Sequence, residues 1–179
     1  FLVGSFLEDK VIDEIKSLNN FHPILKSQLP KNIKVLKFKE FQDESKDNID
    51  LLVVGVSSKG IEWIGGEISK FYKSSMDILL LTKGLAVINN QFETLAEKLN
   101  KILMKKGIND SKISAVGGPC LANGLANRIN SSVVLANENL DIVKNIGKMI
   151  STKYYSTEYS SDLIGVEVCA ATKNIYSML

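Results

Sequence analysis

Ile49 to Val56 reads IDLLVVGV, a nearly continuous run of branched apolar side chains. A strand buried on one face alternates apolar with polar residues, whereas an unbroken run needs cover on both faces, as in the centre of a parallel sheet. Asp77 to Thr82 (DILLLT) has the same character. Shorter strand-like runs are Phe1 to Val3, Lys34 to Phe38, Ile113 to Val116, Ser132 to Ala136 and Tyr154 to Thr157. Segments with helical spacing lie between them. Asp9 to Leu18 points Val11, Ile12, Ile15 and Leu18 inward; Ser57 to Tyr72 points Trp63, Ile64, Ile68 and Phe71 toward the sheet, with Gly65-Gly66 weakening its middle. Gln91 to Lys105 directs Phe92, Leu95, Leu99 and Ile102 inward, Cys120 to Arg128 is a short helix, and Asn139 to Ile150 is another. Strands alternating with helices predict an α/β domain with a mainly parallel sheet. Right-handed crossovers put the carboxyl ends of its strands on one rim, where ligands bind.

Charge and composition narrow the function classes. The 22 basic and 20 acidic residues are interspersed for a net charge of +2, which is no electrostatic footprint for nucleic acid. Lys39 to Asn48 reads as a solvated surface helix or loop. Arg128 is the only arginine, so bidentate clamping of phosphate is scarce. Cys120 and Cys169 form no disulfide framework and no metal-ligand spacing, and His22 is the only histidine. No metal site is expected. The absence of a membrane-length apolar run or a signal peptide predicts a cytoplasmic protein without a membrane partner.

Two stretches sit where strands end. Lys83 follows a buried strand within Leu81-Thr82-Lys83-Gly84, so its ammonium emerges at the carboxyl edge of the sheet. Gly117-Gly118-Pro119-Cys120-Leu121-Ala122 enters a helix, and glycines there permit close backbone approach while a helix N-terminus favours anionic or polar ligands. Cys120 has no motif-related histidine to activate it, which argues against a cysteine nucleophile. The last twenty residues, Ser160 to Leu179, read as a helix capped by Ser160 or Ser161 with Asp162 in its first turn. Val166, Cys169, Ala170, Lys173 and Tyr176 then share one small apolar face. Lys173 interrupts that face, and a lysine there either snorkels to water or has a task.

The wording of that helix resembles the NAD-dependent glycerol-3-phosphate dehydrogenases, whose segment runs approximately D-x-x-G-V-E-x-x-x-A-x-K-N. Asp162, Gly165, Val166, Glu167, Ala171, Lys173 and Asn174 match it, and the Lys83 and Gly117 blocks match upstream in the family's order. The resemblance implies a Rossmann-like doubly wound domain over residues 1–158, and over 159–179 the first helix of an all-α substrate domain. It implies reversible hydride transfer between NAD or NADP and the small molecules dihydroxyacetone phosphate and sn-glycerol 3-phosphate, linked to glycerophospholipid synthesis, in a homodimer when full length. Lys173 would be the catalytic acid and base. Lys83 would touch cofactor and substrate; Gly118, Cys120, Lys173 and Asn174 would line the substrate; Ala122 would lie against the cofactor. The family usually carries serine, threonine, alanine or asparagine near Cys120, and a thiol is the weaker hydrogen-bond donor, which leaves backbone contacts there.

In the family the strand Phe1 to Val3 resembles the second of the domain, so the first strand and its glycine-rich turn are expected upstream of this chain. Ser5 then follows the tip where an acid usually reads the adenosine ribose, and no acid adjoins it in sequence, which predicts weak discrimination between NAD and NADP. Residues 1–179 on their own are expected to be inactive, and insoluble, molten or oligomeric. Two rivals remain: a related hydroxyacid or sugar-acid dehydrogenase, disfavoured by Pro119, and a non-catalytic degenerate nucleotide-binding module.

Overall fold

The computed structural model describes residues 1–44, 46–176 and 178, with Asn174 and Tyr176 described in the backbone only. Along the chain come β1 (Leu2–Gly4), α1 (Asp9–Ser17), β2 (Phe21–His22), β3 (Ser27–Gln28), β4 (Val35–Lys37), α2 (Phe38–Gln42), β5 (Leu51–Val54), α3 (Ile61–Ile68) and β6 (Asp77–Leu80). There follow β7 (Leu85–Ile88), β8 (Gln91–Thr94), α4 (Leu95–Met104), β9 (Lys112–Gly117), α5 (Ala122–Ala126), β10 (Ser131–Ala136), α6 (Leu140–Ile150), β11 (Tyr155–Ser160) and α7 (Leu163–Tyr176). These divide into two compact units, Phe1–Asn48 with Leu121–Ile129, and Ile49–Cys120 with Asn130–Leu179.

In the first unit β1 and β4 pair in parallel, Val3 opposite Leu36, and α1 covers them with Ile12 and Ile15 against Val35. Leu18 belongs to the same apolar stripe in sequence but is largely exposed, because α1 ends at Ser17 and the chain turns through left-handed Asn19 and Asn20. The connection holding Pro23 contains the two-residue ladder β2 and β3.

The second unit is built on a five-stranded sheet in the order β11-β10-β9-β6-β5. β5, β6 and β9 run parallel, β10 is antiparallel to β9, and β11 is parallel to β10. One core joins Val54, Ile78, Leu80 and Ile113 of the sheet to Ile61 and Ile68 of α3 and Leu95, Leu99 and Leu103 of α4. The opposite face is covered by α6, whose Val143 and Ile146 meet Leu79 and Leu135.

Among the described residues β5 pairs with β6 alone, and Val53 on it is 47% exposed. Two expectations are corrected here. Gln91 to Thr94 is not helical: it is β8, joined to β7 through Asn89 and Asn90, both at positive φ (50° and 61°). Two such residues make a turn whose twist suits a hairpin, so the local turn overrides the helical spacing of Phe92, which is exposed. The helix starts at Thr94, whose hydroxyl accepts from Glu97 N while Thr94 N donates to the Glu97 carboxylate. Lastly, the cap of α7 is Asp162, whose Oδ1 accepts from Gly165 N at 2.7 Å; Ser160 Oγ accepts from Asp162 N one step earlier.

Candidate functional site

The parallel strands β5, β6 and β9 send their carboxyl ends to one edge of the second unit. Two loops leave that edge side by side. Thr82 follows β6 and donates its hydroxyl to Val56 O beyond β5 (2.6 Å), which ties the two strand ends together directly before Lys83. Gly84 then turns at φ 136°, a backbone state open to glycine. Lys83 itself is exposed.

The second loop is Gly117-Gly118-Pro119. Gly118 has φ 138°, and a Cβ on it would come within 3.0 Å of Ser132 O and of Val133 Cα, so this turn lies directly on β10. Gly117 meets α7 instead: a Cβ there would stand 2.9 Å from Val166 Cγ1 and 3.5 Å from Val166 O. Only a residue without a side chain lets the helix backbone come so near the strand end. Val166, Cys169, Ala170 and Lys173 of α7 face Gly117, Gly118, Pro119 and Val134 across a groove of about 320 Å³. Its walls are apolar apart from the lysine.

The apolar face read from sequence is therefore the groove face, with Tyr176 falling outside the described side chains. The structure brings Gly118 and Lys173 together in one groove, and Lys83 does not line it. Lys173 is exposed in this chain, Cys120 is half-buried with its amide donating to Gly118 O, and the side chain of Asn174 lies outside the described residues. Ser5 and Ala122 belong to the first unit. There the Ser5 amide donates to the Glu8 carboxylate at 2.7 Å, which brings an acid to the tip of β1. The spacing Ser-x-x-Glu carried that signal in sequence. Among the described residues no group of three histidine, cysteine or acidic side chains is arranged to hold a metal, and no helix is long and apolar enough to cross a membrane.

Sequence reasoning passed over Glu167 beyond its place in the motif. It is 5% exposed, a buried carboxylate on α7, and it accepts a hydrogen bond from Ala96 N at 3.1 Å. Burial pushes its carboxyl above the usual range; the Ala96 amide, the Thr94 hydroxyl and the Leu95 amide pull it back, and the Glu97 carboxylate pushes it up again.

A family model described as the NAD-dependent glycerol-3-phosphate dehydrogenase N-terminus matches residues 5–143. The chain is 26% identical over 175 residues to an NADP(+)-dependent glycerol-3-phosphate dehydrogenase of Archaeoglobus fulgidus, covering 98% of this chain and 50% of the relative. It is 30% identical over 128 residues to a glycerol-3-phosphate dehydrogenase [NAD(P)+] of Mesoplasma florum, covering 72% and 37%. The chain thus spans about half the length, or less, of these curated relatives. In three dimensions it is similar to glycerol-3-phosphate dehydrogenase from Plasmodium falciparum, with a TM-score of 0.77 and 23% identity over 94% of this chain and 45% of that one. The enzyme from Coxiella burnetii gives 0.72 and 19% over 98% and 51%. At such identities these likenesses carry the fold, which is Rossmann-like with a mainly parallel sheet.

Proposed function

The chain belongs to the NAD-dependent glycerol-3-phosphate dehydrogenase family by its N-terminal model, and from that premise we propose that the full-length protein interconverts dihydroxyacetone phosphate and sn-glycerol 3-phosphate with NAD or NADP. The observation that supports this reading is the apolar groove in which Lys173 faces the Gly117-Gly118-Pro119 turn at the carboxyl edge of parallel strands. A flat nicotinamide ring and a three-carbon substrate suit such a groove, since transfer of hydride needs little water and one proton donor. The donor set fits the chemistry: among the described residues the groove is lined by one amine and by no acid or nucleophile other than the Cys169 thiol.

When bound, the nicotinamide supplies or takes the hydride at C2 of the substrate. Lys173 as ammonium donates a proton to the C2 oxygen during reduction, and as neutral amine it takes the hydroxyl proton in the reverse direction. Asn174 adds a hydrogen bond to the same oxygen. Lys83 leaves the rim next to the Gly117 loop and holds the anionic ligands by charge. Gly118 and the backbone of Cys120 border the substrate; Ala122 and Ser5 serve the cofactor. A homodimer, a cytoplasmic location, a link to glycerophospholipid synthesis and the assignment of residues 159–179 to a helical substrate domain are parts of the same proposal.

Replacing Lys173 tests it. In the full-length chain Lys173→Ala should lower turnover by ~100- to 10000-fold, the usual worth of a positioned proton donor. Retention of more than about a tenth of wild-type turnover would refute the assignment.

A further inference from the structure

We propose that Glu167 is a positioning residue that pins α7, and with it Lys173, to the start of α4; this rests on the reading of Lys173 given above. Glu167 points into the protein from α7 and is 5% exposed, and its Oε1 accepts from Ala96 N, 71 residues away in sequence. Among the described residues its Oε2 is buried without a hydrogen-bond partner. The bond is not needed to start α4, because Thr94 and Glu97 already cap that helix reciprocally. Glu97 also places a second carboxylate nearby, which adds repulsion to the cost of burial. An apolar side chain of the same length would pack there without either cost. What it would lack is direction.

Direction matters because the other α7 contacts named here are apolar: Leu163 packs on the core, Gly117 admits Val166 by having no side chain, and Ala170 lies beside it, and contacts of this kind are non-directional. A charge-assisted bond to a helix N-terminal amide fixes height and rotation together. Lys173 lies six residues further on, about 9 Å along the helix axis at 1.5 Å per residue. A tilt of about 6° around Glu167 would therefore carry the Lys173 backbone by roughly 1 Å, a displacement of the size that can cost about 100-fold in rate. The pin also joins two candidate site elements, since α4 is the first helix after Lys83, reached through the β7–β8 hairpin.

The test uses the full-length chain with Glu167→Ala and Glu167→Gln, each made alone and in the Lys173→Ala background. Turnover, KM for the cofactor, and hydrogen exchange of the Ala96 amide are measured. Glu167→Ala should lower turnover by about 10- to 100-fold with cofactor KM changed less than about twofold, and should lower Ala96 protection by about tenfold. Glu167→Gln keeps an acceptor oxygen and should restore most of both. In the Lys173→Ala background, Glu167→Ala should change turnover by less than about twofold, as expected of residues acting as one unit. Equal fractional losses in the two backgrounds, a glutamine no better than alanine, or unmoved Ala96 protection would each overturn the positioning role. A Lys173→Ala protein that keeps its turnover would instead overturn the catalytic reading beneath it, and the two failures are read from different variants.

Discussion

Gly65 and Gly66 are adjacent in the middle of α3, and a methyl group added to each should act with opposite sign. In an unconstrained helix interior, Gly→Ala gains about 1 kcal/mol from backbone entropy. At Gly66 nothing among the described residues beyond the helix's own backbone lies within 4 Å of the added Cβ, so that gain stands alone. At Gly65 the Cβ would fall 2.8 Å from Ile102 Cγ2, 3.1 Å from Leu99 Cδ1 and 3.3 Å from Ile102 Cβ. Carbon–carbon contacts prefer ~3.5–4.0 Å, so α3 and α4 would have to part by roughly half an ångström. Ile102 cannot swing away, because a β-branched side chain in a helix has essentially one χ1 state. Overpacking of this kind costs about 1–3 kcal/mol. The propensity gain is common to both substitutions and cancels in their difference, which leaves Gly65→Ala below Gly66→Ala by about 2 kcal/mol. With both variants made in the full-length protein, that is a separation of roughly a few degrees in melting temperature. Thermal melts and denaturant titrations of the two variants beside the parent would measure it. If Gly65→Ala proved as stabilising as Gly66→Ala, the close packing of α3 on α4 at Gly65 would be refuted.

Lys83→Ala should weaken ligand binding as well as turnover, raising KM where Lys173→Ala acts chiefly on kcat; a Lys83→Ala enzyme with unchanged KM would remove Lys83 from the ligand site. The exposed Glu8 carboxylate at the Ser5 amide should disfavour a 2′-phosphate only modestly, so NAD should be preferred to NADP by less than about a hundredfold, roughly 2.7 kcal/mol, and Glu8→Gln should narrow the ratio. Parallel steady-state kinetics with both cofactors would check this. The raised carboxyl of Glu167 implies a sign for pH dependence: between its unfolded value of about 4.3 and its higher folded value the native state holds the extra proton, so stability falls as pH rises through that window. Melting temperatures of Glu167→Gln should fall less steeply there than those of the parent, whereas the burial-raised Asp77 contributes equally to both and drops out.

The parts of the fold legible in sequence were those where one local signal stood unopposed. The run at Asp77–Leu80 is a strand with Ile78, Leu79 and Leu80 all buried, the run at Leu51–Val54 pairs with it in parallel, and α6 follows from its stripe and the Asn139 cap, whose side chain accepts from Asp141 N. Where two signals competed, the shorter-range one won. Phe92 has helical spacing with Leu95 and Leu99, yet Asn89-Asn90 close a hairpin first and Thr94 with Glu97 start the helix three residues later than the spacing suggests. Gly65 read as a weakness in α3, because its reason is a contact with α4 that lies beyond local sequence. Glu167 was hidden for the same cause: a carboxylate in a motif gives no sign of being buried until its partner, 71 residues away, is known.

The level of the site on the sheet is also a matter of register, and here sequence spacing acquires its meaning only through the structure. Leu80 of β6 stands opposite Ala115 of β9, and both strands run the same way. Lys83 and Gly118 are each three residues beyond that pair, so the two loops leave the edge at the same height although their motifs are 35 residues apart. Beyond Ala115 strand β9 is held by β10, with Val116 opposite Leu135 and Gly117 opposite Val134, which keeps it straight for the two residues needed to reach α7. The register has an independent lock one residue below: Ser114 is fully buried, and its hydroxyl accepts from the buried Asn137 amide at 3.0 Å, whose Nδ2 also donates to Ile113 O. A shift of β9 by one residue would turn Ser114 and its neighbours to the opposite face and strand that amide, besides moving Gly118 by about 3.3 Å along the strand. The antiparallel turn of β10, which breaks the parallel rule of the sheet, is thus what extends β9 to the groove, and the buried serine and asparagine are what fix its height.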